Sequence, residues 1–140
     1  MLPASYNDVL DALPRVHAVL KPTTLYEWEG LSRLLGCRFF LKHENHQPVG
    51  AFKVRGGINL LGTLSEQEKE AGVLGCSTGN HGQSLAFACK RFGVKSTIVV
   101  PQGNNPDKNR AIQNLGAKLI EQGRDFDEAK HFLETTLAPQ

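Results

Sequence analysis

Two stretches of the 140-residue chain carry side chains that could do chemistry. The first is Ser77-Thr78-Gly79-Asn80-His81-Gly82-Gln83, which follows a short apolar run and precedes a helical one. A strand-to-helix loop of this kind lies beyond the carboxyl end of a strand, where open parallel sheets bind ligands. Free backbone N–H groups and the positive end of the helix favour an anion there. Ser, Thr, Asn, His and Gln side chains add hydrogen-bonding groups, and Gly79 and Gly82 let a ligand approach the backbone. The loop lacks the G-x-G-x-x-G of dinucleotide sites and the G-K-[ST] of phosphate loops. A small carboxylate or a polar ring substituent therefore suits it better than a nucleotide. The plain alternative is an ordinary turn in which Asn80 or Ser77 only caps the helix.

The second stretch is Gly50-Ala51-Phe52-Lys53-Val54-Arg55-Gly56-Gly57. A lysine in the first turn of a helix is poorly placed as a cation, because cations belong at the other end. The same place, with Arg55 near and apolar Ala51, Phe52 and Val54 around it, suits a lysine that attacks a carbonyl as a free amine. A solvated helix lysine is the alternative. Other clusters carry less. His43-Glu44-Asn45-His46 looks like a metalloprotease motif but is one residue short, with its histidines at i and i+3 on a strand-to-loop segment. Lys90-Arg91 with Lys95 reads as a solvated helix end, and Glu66/Glu68/Glu70 and Asp125/Asp127/Glu128 as charges at helix starts. Cys37, Cys76 and Cys89 are widely spaced without a C-x-x-C pair, so they build neither a disulfide framework nor a zinc knuckle. Their apolar neighbours predict buried thiols in a reducing cytoplasm.

Whole-chain balance excludes further classes. Sixteen basic against fourteen acidic residues leave a net charge of +2, too even for affinity that rests on nucleic-acid phosphates. With 40% hydrophobic and 21% charged residues the chain is globular rather than disordered. Apolar runs such as Ile98-Val99-Val100 are far short of the ~20 residues of a membrane span. No secretory or transit segment is legible. The expected partner is a small molecule, not a nucleic acid or a membrane.

The elements that must position these residues follow from caps and periodicity. Ser5 and Asp8 open a short helix that Pro14 should stop. Lys21 to Thr24 is loop, a helix runs from about Glu27 to Leu35 and ends at Gly36, and Cys37 to Leu41 reads as a strand. Asn45 to Gly50 is loop, and a helix runs from Phe52 to about Leu64. From Ser65 the pattern changes: a capping box, Ser65 to Glu68, starts a short charged helix, and strands then alternate with helices. Val73 to Ser77, Ser96 to Val100 and Ala117 to Glu121 suit buried strands. Leu85, Cys89 and Phe92 form one helical stripe, and Phe126, Ala129, Leu133 and Leu137 another. Asn105-Pro106-Asp107 starts the middle helix and Gly116 ends it; Asp125 and Glu128 cap the last. Consecutive β-α-β units imply an α/β fold with a parallel sheet and flanking helices. The expected division is residues 1–64, a segment that carries the lysine, and residues 65–140, a small α/β domain.

The motif from Lys42-x-Glu44-x-x-Gln47-Pro48-Val49-Gly50-Ala51-Phe52-Lys53-x-Arg55-Gly56 resembles the cofactor-lysine motif of the threonine/serine dehydratase family. Cys76-Ser77-Thr78-Gly79-Asn80-His81-Gly82-Gln83 is similar to that family's S-x-G-N-H-x-Q loop. Pro22-Thr23-Thr24-Leu25 matches its T-P-L turn loosely, while Val100-Pro101 through Lys108 and Leu115-Gly116-Ala117 follow in order. The resemblance runs from Pro22 onward. It implies a pyridoxal 5'-phosphate enzyme with the tryptophan synthase β-like fold, of which this chain would be the start of the large domain and most of the small one. Lys53 would then hold the cofactor as a Schiff base and later remove the α-proton. Phe52 would pack beside the cofactor ring and Asn80 would bond its phenolic oxygen. Ser77, Thr78, Asn80 and His81 would grip the carboxylate of an amino-acid substrate. Elimination of a β-hydroxyl and hydrolysis of the enamine would yield a 2-oxo acid and ammonia, in a cytoplasmic homo-oligomer.

Departures shape that expectation. Ala51 replaces a commoner serine. Thr78 stands where racemase relatives carry a second serine, and His81 where cysteine-synthesising relatives carry threonine; both favour a dehydratase. The family's glycine-rich loop for the cofactor phosphate comes later than residue 140, so the chain reads as an N-terminal portion that is inactive alone. The alternatives are a related enzyme doing β-replacement or racemization, and a non-catalytic α/β module that binds a small anion.

Overall fold

The computed structural model describes residues 4–138; the ends of the two expected segments, 1–3 and 139–140, lie outside the described residues. The chain enters through α1 (Tyr6–His17). Ser5 Oγ accepts from the Asp8 N–H, and the Asp8 carboxylate accepts from the Ser5 N–H at 2.7 Å, so the capping box forms as read. The stop at Pro14 does not: the helix runs through it, and the Ala18 N–H donates to the Pro14 carbonyl at 3.0 Å. An interior proline costs about 3 kcal/mol. Burial of Val16 and Leu20 in the core and a 2.8 Å bond from Arg15 Nε to Asn59 Oδ1, both beyond the proline, oppose that cost.

Next come β1 (Leu25–Glu27), α2 (Glu29–Leu35) and β2 (Phe40–Lys42). The two strands pair antiparallel, Leu25 opposite Lys42 and Glu27 opposite Phe40. Glu27, expected in the helix, is taken instead by the strand, where its carboxylate accepts two bonds from Arg38 and the following Trp28 N–H reaches the Phe39 carbonyl. Gly36 closes α2 in the left-handed conformation that its missing Cβ permits, at φ +66°. The strand expected from Cys37 begins only at Phe40. Cys37 itself is exposed, against expectation, because it lies in the α2–β2 turn whose apolar neighbours Leu35, Phe40 and Leu41 are exposed too. Cys89 is buried and Cys76 half-buried, and burial pushes both thiols up from their ordinary range.

After α3 (Val54–Thr63) the alternation read from sequence appears: α4 (Glu66–Ala71), β3 (Val73–Cys76), α5 (Asn80–Phe92), β4 (Ser96–Val100), α6 (Pro106–Asn114), β5 (Lys118–Glu121) and α7 (Phe126–Phe132). The strands form a parallel sheet in the order β3-β4-β5, with Gly75 beside Ile98 and Val99 beside Ile120. Central β4 buries Ile98, Val99 and Val100 completely, as a strand covered on both faces must. The caps at Ser65, Asn105 and Asp125 all accept the N–H groups the sequence assigned them.

The stripe on α5 is not one face but two. Cys89 packs with Val16, Val54, Ile58 and Leu61, while Leu85 packs with Ile98, Val100 and Ile112. Helix α5 is thus wedged between α3 and the sheet, which is why small residues, Gly82, Ser84, Ala86 and Ala88, fill it. The α7 stripe is only partly used: Ala129 is fully buried, Phe126 is exposed, and the helix widens into a π-helical turn over Leu133–Leu137. No helix among the described residues is long and apolar enough to cross a membrane.

Candidate active site

Lys53 sits at the N-cap of α3, one residue before the first turn in which the sequence placed it. Ala51 and Val54 on either side are buried and anchor the turn, whereas Phe52 and the Lys53 side chain are exposed. Lys53 Nζ lies 5.5 Å from the centre of the Phe52 ring. Arg55, near Lys53 in sequence, turns to another partner. Its guanidinium grips Glu44 in a two-pronged pair, Nε–Oε2 and Nη2–Oε1 both at 2.8 Å. Thr23 Oγ1 also donates to Glu44, and Lys42 Nζ bonds the Thr23 carbonyl. Glu44 therefore pins three segments behind the lysine: the Thr23 loop, its own 3-10 turn (Glu44–His46) and α3. In the sequence Glu44 belongs both to the incomplete metal motif and to the motif that carries Lys53, with no role of its own assigned. His43 and His46 instead stack ring on ring at 5.2 Å, and among the described residues no cluster of three ligating side chains could hold a metal ion.

The Arg55 pair, with help from Thr23, holds the Glu44 carboxyl down to about 2 from 4.5. A carboxyl whose pKa falls on folding stabilises the fold above its unfolded value and stops doing so as pH drops through its folded one. Stability should therefore decline between about pH 4.5 and pH 2, by ~1–2 kcal/mol once solvent screening of this part-exposed pair is allowed for. Thermal melts of wild type and Glu44→Gln across that range check it: the variant should lose this part of the acid sensitivity, and parallel curves would refute the assignment.

The second element is the turn from β3 into α5. Ser77, buried at the strand end, accepts the Gly82 N–H at 2.9 Å and the Gly79 N–H at 3.3 Å through its Oγ. The capping role weighed against a binding role is thus real, yet the Ser77 O–H proton stays available to donate. The N–H groups of Thr78, Asn80 and His81 have no acceptor among the described residues, and all three side chains are exposed. Asn80 Oδ1 accepts from Lys108 Nζ at 3.1 Å, which leaves the Asn80 Nδ2 hydrogens free. The two glycines divide their work. A Cβ on Gly82 would lie 3.0 Å from Ile112 Cδ1 and 3.2 Å from Ile98 Cγ2, so Gly82 serves helix–sheet packing rather than ligand approach. Nothing lies within 4 Å of a Cβ on Gly79, whose side is open.

Packing of α3 on α5 brings the two elements together. Ser84 Oγ donates to the Lys53 carbonyl at 2.6 Å. Asn80 is four residues before Ser84 on the same helix, one turn and about 6 Å away along the axis. Lys53 and Phe52 thereby share one end of the α3–α5 pair with Ser77, Thr78, Asn80 and His81. The donor set fits one end of a pyridoxal phosphate: an exposed amine, a free amide and three unfilled N–H groups at a helix start. A phosphate cradle is not among the described residues, where the positive-φ glycines occur singly at turns and helix ends and Gly56-Gly57 lie inside α3.

The signature of pyridoxal-phosphate dependent enzymes matches residues 16–140. The chain belongs to that family. The L-threonine ammonia-lyase of Thermotoga maritima is 40% identical over 123 residues, 88% of this chain and 31% of that protein. The processed form of threonine deaminase isoform 2 from Solanum lycopersicum superposes with a TM-score of 0.81 at 34% identity, over 94% of this chain and 40% of the other. Maize serine racemase superposes with a TM-score of 0.90 at 25% identity, over 95% and 40%. This pyridoxal-phosphate family chain spans only 31% to 40% of the length of these three relatives. It shares their α/β fold, and its sequence resemblance to the threonine dehydratases extends slightly further toward the N-terminus than Pro22.

Proposed function

We propose that the protein at full native length is a pyridoxal-phosphate-dependent ammonia-lyase that acts on a hydroxy-amino acid such as threonine or serine. The observation that carries the reading is the bond from Ser84 Oγ to the Lys53 carbonyl, which ties the lysine to α5 one turn from the unfilled N–H groups of Thr78, Asn80 and His81. Pyridoxal phosphate, when bound, supplies the electron sink that makes an α-proton removable. The protein groups do the rest. Lys53 holds the cofactor and, once freed, takes the α-proton. Phe52 would lie beside the cofactor, and Asn80, its Oδ1 held by Lys108, would have its Nδ2 hydrogens free to donate to it. The Ser77 hydroxyl, the Thr78, Asn80 and His81 donors and the α5 N-terminus bind the substrate carboxylate. Loss of the α-proton and the β-hydroxyl together as one water, followed by addition of a second water, would convert the substrate to the 2-oxo acid and ammonia. In this reading residues 1–64 carry the lysine, residues 65–140 form the small domain, and the complete enzyme is a cytoplasmic homo-oligomer, in keeping with three unpaired thiols.

The test is a product assay on the native-length protein with threonine and with serine. Equal amounts of 2-oxo acid and ammonia, with the residual amino acid unchanged in configuration, are expected. Racemized substrate without 2-oxo acid would replace the reading by that of the serine-racemase type, whose likeness in fold makes it the second choice. Asn80→Ala should lower kcat ten- to a hundred-fold, the worth of a hydrogen bond to a charged group, about 1.5–3 kcal/mol. Ser77→Ala should raise KM more than it lowers kcat. It should also lower the melting temperature, because the buried Gly82 N–H loses its acceptor. Kinetics unchanged within about two-fold for both variants would leave the loop a purely structural role.

A further inference from the structure

Lys53 Nζ makes no hydrogen bond or ion pair among the described residues, so the placing of its amine depends on the backbone that carries it. That backbone is held from outside its own helix. The Lys53 carbonyl accepts from Gly56 N at 3.1 Å and, weakly, from Gly57 N at 3.4 Å, while Ser84 Oγ makes the shortest bond to it at 2.6 Å. Ser84 is fully buried. A serine inside a helix ordinarily returns its hydroxyl to the carbonyl four residues before. Here it crosses to the neighbouring helix instead.

A second observation points the same way. A Cβ on Gly57 would lie 2.5 Å from Ser84 Oγ and 2.6 Å from the Ser84 carbonyl oxygen, closer than any side chain tolerates. Gly57 is one turn beyond Lys53 on α3, as Ser84 is one turn beyond Asn80 on α5. The bare glycine lets the helices approach, and the hydroxyl then sets their register. We infer that Ser84, with Gly57 making room for it, is a positioning residue that fixes Lys53 relative to the Asn80 loop. Sliding of α3 on α5 would carry the amine away from the groups that hold cofactor and substrate, and a misplacement of about 1 Å costs on the order of a hundred-fold in rate.

This inference rests on the reading of Lys53 as the cofactor lysine, and the experiment separates the two. In the native-length protein loaded with pyridoxal phosphate, borohydride reduction and mass mapping first locate the adduct. Ser84→Ala should then form the Lys53 adduct more slowly, with kcat down about ten- to a hundred-fold, KM within about two-fold, and faster hydrogen exchange at the Gly57 amide. Ser84→Cys, close in shape but a weaker donor, should fall between, and it carries the test if the alanine variant does not fold. Cys89→Ala, five residues on in the other face of α5, should lower the melting temperature while leaving kcat and the rate of adduct formation alone. A wild-type adduct on another lysine sinks the functional reading and this inference with it. An adduct on Lys53 with Ser84→Ala indistinguishable from wild type in trapping, kcat and exchange sinks this inference alone. So does Cys89→Ala matching the Ser84→Ala losses, since general destabilisation would then explain them.

Discussion

Borohydride reduction of the cofactor-loaded, native-length protein is expected to mark Lys53, and Lys53→Ala to remove both the adduct and turnover. The expectation comes from the place of Lys53 at the contact between α3 and α5, next to the Asn80 loop, and three other lysines are already engaged. Lys42 bonds the Thr23 carbonyl and stands 4.0 Å from Glu44; Lys69 is paired with Glu66 at 2.7 Å; Lys108 is held by Asn80 Oδ1. An amine engaged in such a contact must break it before it can reach a carbonyl. Lys53 Nζ lies over the face of Phe52 with no hydrogen-bond or ion-pair partner among the described residues, at a helix start where positive charge is unfavourable. Loss of a positioned proton-transfer group alone costs about 10²–10⁴-fold. Lys53 also anchors the cofactor, so turnover in the variant should fall by at least the upper part of that range. Mass mapping decides the matter: an adduct on Lys42, Lys69 or Lys108 with none on Lys53 would overturn the assignment.

Residues 1–140 expressed alone are expected to form no 2-oxo acid from threonine or serine at an enzyme's rate. Phosphate binding needs several converging N–H groups. The unfilled N–H groups of Thr78, Asn80 and His81 are, in the proposed reading, taken by the substrate carboxylate. A cofactor held through Lys53 and Asn80 without its phosphate would exchange freely and be poorly aligned. The same chain should self-associate. The short strands β1 and β2 are exposed throughout, with Leu25, Tyr26, Phe40 and Leu41 among the exposed apolar groups, and such edges pair with other chains. Assaying the isolated chain with added cofactor and following light scattering against concentration tests both. Turnover of ~1–10³ per second would show that the phosphate is held by other groups, through an oligomer for instance.

What was legible in the sequence was whatever short-range chemistry decides. Ser65 and Glu68, Asn105 and Pro106, Asp125, and Gly36 and Gly116 set helix ends through bonds spanning a few residues, so their types and spacing suffice. The apolar run at Ile98-Val99-Val100 could only be a covered strand, and the loop from Ser77 to Gln83 had to fall at a strand's carboxyl end. The tertiary structure decided the rest, through contacts between residues far apart in the chain. Pro14 stays inside a helix because Arg15 meets Asn59 and Val16 joins the core. Glu27 becomes strand because Phe40 lies beside it. Arg55, adjacent to the lysine in sequence, spends its charge on Glu44. Gly82 serves Ile98 and Ile112, and Ser84, unremarkable as a helix residue, reaches Lys53 because α5 is wedged between α3 and the sheet. Residue types alone singled out Lys53 and the Ser77 to Gln83 loop as separate candidates for chemistry. Their placement at one end of two helices depends on an interhelix contact that no local pattern encodes, since it requires a glycine on one helix to face a serine on another.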